Sequence, residues 1–260
     1  MKIPIYQVDA FTDERFSGNP AAVCKLQEWL PDETMQKIAA ENNLAETAFV
    51  VEKNQNFELR WFTPTVEVDL CGHATLASAY VFKEHLGYHS NEIAFKTKSG
   101  ILTVVFGGDI MTMIFPSRPG NVVEAPIELV DGIKVQPLEV LKSVEDFMAI
   151  LSSEDEVRKL NPDLEKLKKL DCRGTIVTSR GINVDFVSRF FAPQSGIPED
   201  PVTGSSHTTL IPYWSMKLNK KSMTALQVSR RGGKLFCENL GDKVKIAGKA
   251  ITYMTGEITL

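Results

Sequence analysis

The feature that most constrains this chain of 260 residues is a pattern stated twice. Arg60-Trp61-Phe62-Thr63-Pro64 returns 129 residues later as Arg189-Phe190-Phe191-Ala192-Pro193. Downstream of the first copy lies Asp69-Leu70-Cys71-Gly72-His73-Ala74-Thr75-Leu76. Downstream of the second lies Asp200-Pro201-Val202-Thr203-Gly204-Ser205-Ser206-His207, with a three-residue insertion before its glycine. Each copy reads as a strand, a proline turn, an acidic residue, a glycine and then a buried helix. Repetition of a whole supersecondary unit argues for two similar α+β halves. The Pro116 to Pro119 stretch is the natural divide, which gives lobes over residues 1–117 and 118–260 with the last strand free to cross back.

Composition permits this and removes other classes. With 43% hydrophobic and 24% charged residues the chain can bury a core, so disorder is excluded as its dominant state. Twenty-nine basic against 33 acidic residues leave a net charge of −4, without the basic footprint of a nucleic-acid binder. The short cluster Ser229-Arg230-Arg231-Gly232-Gly233-Lys234 reads as a solvated turn. Cys24, Cys71, Cys172 and Cys237 lie far apart with no C-x-x-C pair, as expected of a reducing compartment. No signal peptide is visible in Met1 to Asp9, and no apolar run approaches the ~18 residues of a membrane span. These observations point to the cytoplasm, with neither nucleic acid nor membrane as partner.

Periodicity predicts strands at Ile3–Phe11, Glu46–Val51 and Phe57–Phe62, and a hairpin joining Ile101–Phe106 to Met111–Phe115 through Gly107-Gly108-Asp109. Helices are expected at 32–41, with Asp32 as N-cap and Asn42-Asn43 ending it, and at His73–Leu86, apolar nearly all round and therefore buried. Residues 152–170 read as two charged, exposed helices. Ser153 with Glu156 forms a capping box for the first, and Asn161-Pro162 starts the second. Strands follow at 174–179 and 184–191. Ser205 is expected to open the second apolar helix.

Both buried helices are expected to begin just after a glycine, Gly72 or Gly204. A helix N-terminus presents unpaired N–H groups and the positive end of a dipole, and glycine lets a ligand approach the backbone. If the halves face one another, such termini suit a carboxylate, or an enolate formed during reaction, without a metal. Glu46 opens a strand whose two faces are both apolar, so its carboxyl is expected against buried surface. Burial disfavours the charged form of a carboxyl and suits it to proton shuttling. His73 stands in the first turn of the first helix, where the dipole should keep it neutral. Asp200 lies on a turn before the second helix. His85, His89 and His207 show no metal-ligand spacing. No dinucleotide fingerprint, P-loop or G-x-S-x-G elbow occurs, so no cofactor is expected.

These residues resemble the PhzF-like (phenazine-biosynthesis) family. The matching segments are Asp9-Ala10-Phe11, Gly18-Asn19-Pro20-Ala21-Ala22-Val23, Asn43-Leu44-Ala45-Glu46-Thr47-Ala48-Phe49, the two repeated strands, Cys71-Gly72-His73-Ala74-Thr75, and Glu199-Asp200-Pro201-Val202-Thr203-Gly204-Ser205. The resemblance implies the diaminopimelate-epimerase-like fold: two pseudo-symmetric lobes, each a curved, mostly antiparallel sheet around a central buried helix. It also implies a cofactor-independent isomerase, usually a homodimer, that transfers a proton within a small carboxylate. It makes Glu46 the acid/base, has His73, Asp200 and Ser205 orient substrate and assist proton transfer, and has Gly72, Gly204 and Asn19 bind substrate. The sister epimerases oppose two cysteines. Here Cys71 stands in one half but Thr203 in the other, so two-thiol racemisation is not available, and Cys71 is read as packing. A racemase or epimerase of the sister type, or a catalytically silent binding protein, remain the alternatives.

Overall fold

The computed structural model describes residues 1–54 and 56–260. The chain divides into two compact units, Met1–Met113 with Ala247–Leu260, and Ile114–Ile246. The first runs β1 (Lys2–Ala10), β2 (Asn19–Leu26), α1 (Asp32–Asn42), β3 (Glu46–Lys53), β4 (Asn56–Phe62), β5 (Glu67–Val68), α2 (Gly72–His85), β6 (Glu92–Thr97), β7 (Gly100–Gly107) and β8 (Ile110–Pro116). The second runs β9 (Asn121–Val122), α3 (Ile127–Ile133), β10 (Glu139–Lys142), β11 (Asp146–Ile150), α4 (Glu154–Lys159), α5 (Leu164–Leu167), β12 (Gly174–Arg180), β13 (Phe186–Ala192), β14 (Ile197–Asp200), α6 (His207–Leu218), β15 (Ser222–Gln227), β16 (Gly233–Asn239) and β17 (Lys243–Gly248). The final strand, β18 (Ala250–Thr259), lies antiparallel to β1 in the first unit.

Strand pairing repeats the duplication seen in the sequence. In the first unit β1–β2 is antiparallel, β2–β3 parallel, β3–β4 and β4–β5 antiparallel, β4–β6 parallel and β6–β7 antiparallel. In the second unit the series β10, β11, β12, β13, β14, β15, β16 pairs in the same order and with the same directions. In the first unit α2 packs against β1, β2, β3, β7 and β18, which explains an apolar surface nearly all round. One core cluster of that unit joins Ile3, Ala22, Met35, Phe49 and Phe62. In the second, Leu129, Val140, Ala149, Val157, Val177 and Phe191 pack together.

The repeated strands carry a repeated ion pair. Arg60 donates from Nε and Nη2 to the two carboxylate oxygens of Glu67 at 2.7 and 2.8 Å. Arg189 does the same to Glu199 at 2.7 and 3.0 Å. Each guanidinium also lies over a phenylalanine two residues on, Phe62 at 5.2 Å and Phe191 at 4.9 Å. Both units therefore anchor the short fifth strand of the motif to the fourth by a planar fork, the geometry for which arginine is suited.

Several boundaries differ from expectation. Asp32 is not the N-cap of α1. Pro31 takes that place with an extended backbone, and its carbonyl accepts from Thr34 and Met35 N–H, which leaves Asp32 to bind Arg60 at 2.9 Å. Ser153 does cap α4 by accepting from Glu156 N–H. The next helix begins later than Pro162, because Asp163 Oδ1 accepts the Lys166 N–H and so caps α5. Neither helix is wholly exposed: Glu154, Val157 and Leu167 are buried. Helix α3 carries no strong pattern and was not expected. Ser205 does not open α6, which begins at His207. A tight turn leads in, with His207, Thr208 and Thr209 N–H groups bonded to the carbonyls of Gly204, Ser205 and Ser206.

Candidate active site

In the first unit the sequence-expected residues meet. Glu46 opens β3 beside Ala21 of the parallel β2. Asn19 opens β2, and His73 stands in the first turn of α2. Glu46 Oε2 lies 3.0 Å from His73 Nε2, with side chains 12% and 6% exposed. Asn19 Nδ2 is 3.2 Å from His73 Nδ1 on the other side of the ring. Cys71 Sγ is 3.5 Å from that same nitrogen. The sequence treats Cys71 only as packing, yet its sulfur joins Glu46 and His73 in a group whose ligand atoms all lie within 4.8 Å of one another.

The electrostatics correct one expectation. Burial by itself lowers the basicity of His73, but Cys71 and Glu46 more than reverse it, and its pKa sits well above the ordinary 6.5. The helix dipole therefore does not set its charge; an acid 3.0 Å away outweighs it. Burial pushes the Cys71 thiol up, and Glu46 adds to the shift. Cys71 is accordingly held as a thiol, the inert form for nucleophilic attack.

In the second unit Asp200 ends β14 instead of lying on a free turn. Its Oδ2 accepts from Thr203 Oγ1 at 2.5 Å. Gln227, fully buried, staples this loop: its side chain donates to Asp200 O at 2.7 Å and accepts from Thr203 N–H at 2.8 Å. Ser205 Oγ accepts from Arg173 Nη1 at 2.8 Å, and Arg173 in turn grips Asp146, Nε donating to Oδ1 at 2.9 Å and Nη2 to Oδ2. A hydroxyl that accepts from a guanidinium has its own proton left to donate. Ser205 is thus set up as a hydrogen-bond donor. Gly204 lies in the turn that leads into α6, while Gly72 is the first residue of α2.

Sequence reasoning missed Arg173, Asp146 and Gln227. Asp146 faces Gly174 across parallel strands, which sets Arg173 beside it, and no spacing in the chain encodes that register.

Pairing also aligns the two units residue by residue. Thr47 faces Phe62 and Thr175 faces Phe191, so Glu46 corresponds to Gly174. With Gly72 matched to Gly204, Cys71 corresponds to Thr203 and His73 to Ser205. The frame is duplicated and the side chains are not: where the first unit has Glu46, Cys71 and His73, the second has Gly174, Thr203 and Ser205.

Comparison with known proteins agrees with this architecture. An uncharacterized isomerase of Pseudomonas aeruginosa is 48% identical over 260 residues, covering both chains completely. The crystal structure of a PhzF-family phenazine biosynthesis protein from Enterococcus faecalis superposes with a TM-score of 0.98 at 44% identity over the whole of both chains. A hydroxyproline epimerase from Agrobacterium vitis shares the fold alone, with a TM-score of 0.62 at 10% identity, covering 99% of this chain and 91% of that one. The sequence profile of the PhzC-PhzF family, whose description is phenazine biosynthesis-like protein, matches residues 8–256, and the chain belongs to that family.

Proposed function

We propose that the protein is an isomerase that moves a proton within a small carboxylate-bearing substrate, with Glu46 as the single acid/base and no cofactor taking part. The observation that carries this reading is the approach of Glu46 Oε2 to His73 Nε2 at 3.0 Å, in nearly complete burial. A carboxyl there can lose and regain a proton, and an adjacent imidazole raised in basicity stabilises the carboxylate form between the two steps. The N-terminus of α2, opening at Gly72, offers its N–H groups and dipole to negative charge. Within the second unit Ser205 is left as a donor and Asp200 is held by Thr203, which suits each to orient a polar ligand group. Thr203 in place of a second thiol, with its hydroxyl committed to Asp200, argues against racemisation by opposed cysteines.

The test is deuterium uptake from D₂O across a panel of small carboxylic acids. Wild type should label at least one of them, and Glu46→Gln should cut the rate by about 10²–10⁴, the range typical of removing a proton-transfer group. Undiminished exchange in the Gln variant would sink the assignment.

A further inference from the structure

We infer that Glu46, Cys71 and His73 also form a binding site for one zinc-class divalent cation, and that occupancy of this site switches off the acid/base. The metal site stands on its own geometry; only the inhibition rests on the function proposed above.

The donor set is the first argument. One sulfur, one imidazole nitrogen and one carboxylate oxygen form the mixed S, N, O combination that zinc accepts, and not the all-oxygen shell that magnesium and calcium prefer. Convergence is the second. Their ligand atoms all lie within 4.8 Å of one another. Four-coordinate zinc, with bonds of roughly 2.0–2.3 Å, spaces its donors about 3.3–3.6 Å apart. Glu46 Oε2 and His73 Nε2, at 3.0 Å, are already inside that spacing. Drawing the farthest pair together by about 1 Å, within the reach of a χ rotation, completes a three-ligand site with its fourth position open.

The third argument is burial. Glu46 Oε2 and His73 Nε2 are shut off from solvent and meet at 3.0 Å, so a cation that replaces the proton between them keeps both atoms partnered. Asn19 Nδ2 stands 3.2 Å from the other imidazole nitrogen and holds the ring from that side. The ligands come from the start of β3 and the start of α2, 25 and 27 residues apart, so no local metal-binding motif marks them in the sequence.

Binding is a simple exchange without redox. The Cys71 thiol proton, and any proton shared by Glu46 and His73, pass to solvent as the metal bonds form, so affinity rises with pH. A carboxylate bonded to the metal no longer accepts a substrate proton.

The experiment uses the full chain stripped of metal, with Co²⁺ and Zn²⁺ as probes and no substrate present. One equivalent of Co²⁺ should give thiolate-to-cobalt charge transfer in the near ultraviolet and the intense visible bands of four-coordinate cobalt, both bleached by one equivalent of Zn²⁺. Cys71→Ser should lose the charge-transfer band and bind Zn²⁺ at least about 10-fold more weakly, the scale on which even outer-sphere changes act. Glu46→Gln should keep the band and weaken binding similarly, while Cys24→Ser changes neither. Cadmium-113 resonance on wild-type protein, which reports one bound sulfur, needs no variant and covers the case in which a substitution fails to fold. Weak binding of several equivalents, a cobalt spectrum with no thiolate band, or full affinity in Cys71→Ser would each overturn the site. Inhibition of deuterium uptake by stoichiometric Zn²⁺, reversed by chelator, is then read separately. Failure of the metal arm leaves the Glu46 exchange test intact, and failure of that test leaves the spectra intact.

Discussion

Two buried histidines pull the pH dependence of stability in opposite directions. His207, in the first turn of α6, donates from Nδ1 to Thr203 O at 2.8 Å. Burial pushes its pKa from 6.5 down to about 4, against the pull of that carbonyl. As the pH falls below 6.5, the unfolded chain takes up a proton that the folded one refuses, so stability declines by up to about 3 kcal/mol toward pH ~4. Urea unfolding between neutral and mildly acidic pH should show this decline in wild type and a flatter profile in His207→Gln. His73 has the reverse sign. Its pKa is raised on folding, so its contribution is complete below 6.5 and is lost as the pH climbs through the raised value. Replacing it with Gln should flatten the alkaline limb of the same measurement and leave the acid limb alone. Strand onset and helix onset are local signals that placed Glu46 and His73, while Asn19 came from the family resemblance; the structure brings all three together. The charge on His73 was not legible, because it depends on Cys71 and Glu46 being folded against the buried ring.

The forks joining β4 to β5 and β13 to β14 differ in what else they hold. Arg189 Nη1 also donates to Val157 O at 3.2 Å and Leu160 O at 2.7 Å, so it closes the C-terminal end of α4. Arg60 reaches instead to Asp32, whose side chain is 75% exposed. Loss of Arg189 therefore leaves the partly exposed Glu199 without its fork and takes a donor from two carbonyls. Arg189→Ala should cost about 1–3 kcal/mol, with Arg60→Ala costing less because Lys98 still pairs Glu67. Paired urea denaturation curves decide the order. Glu67, held by its fork to about 2, keeps its contribution at neutral pH and gives it up only as the pH falls from 4.5 through that value. The repeat that exposed these strands concealed the pairs, since glutamate follows arginine by 7 residues in one copy and by 10 in the other. Helices were read well where apolar periodicity was strong, as in α2, and misplaced where a neighbouring side chain took over the cap, as Asp163 did for α5.

Across the whole molecule the duplication has diverged so far that it does not simply reverse. At Gly174, the counterpart of Glu46, an added Cβ would meet Phe190 Cζ at 2.4 Å and the Phe191 carbonyl oxygen at 2.9 Å. The ring can swing aside and the backbone oxygen cannot. Gly174→Ala should therefore destabilise by about 1–3 kcal/mol, measurable as a lowered urea midpoint with unchanged slope. A second acid cannot enter there without rebuilding β13. Strand β18 sets a further condition. It completes the first unit against β1, yet it is synthesised after every residue of the second. While the ribosome is still at work, β1 waits with one edge bare, and the second unit has all its strands first. A chain halted before Ala250 should stay open to protease in residues 1–113 and resist it in 114–246, so the unit that holds Glu46, Cys71 and His73 is the last to be completed.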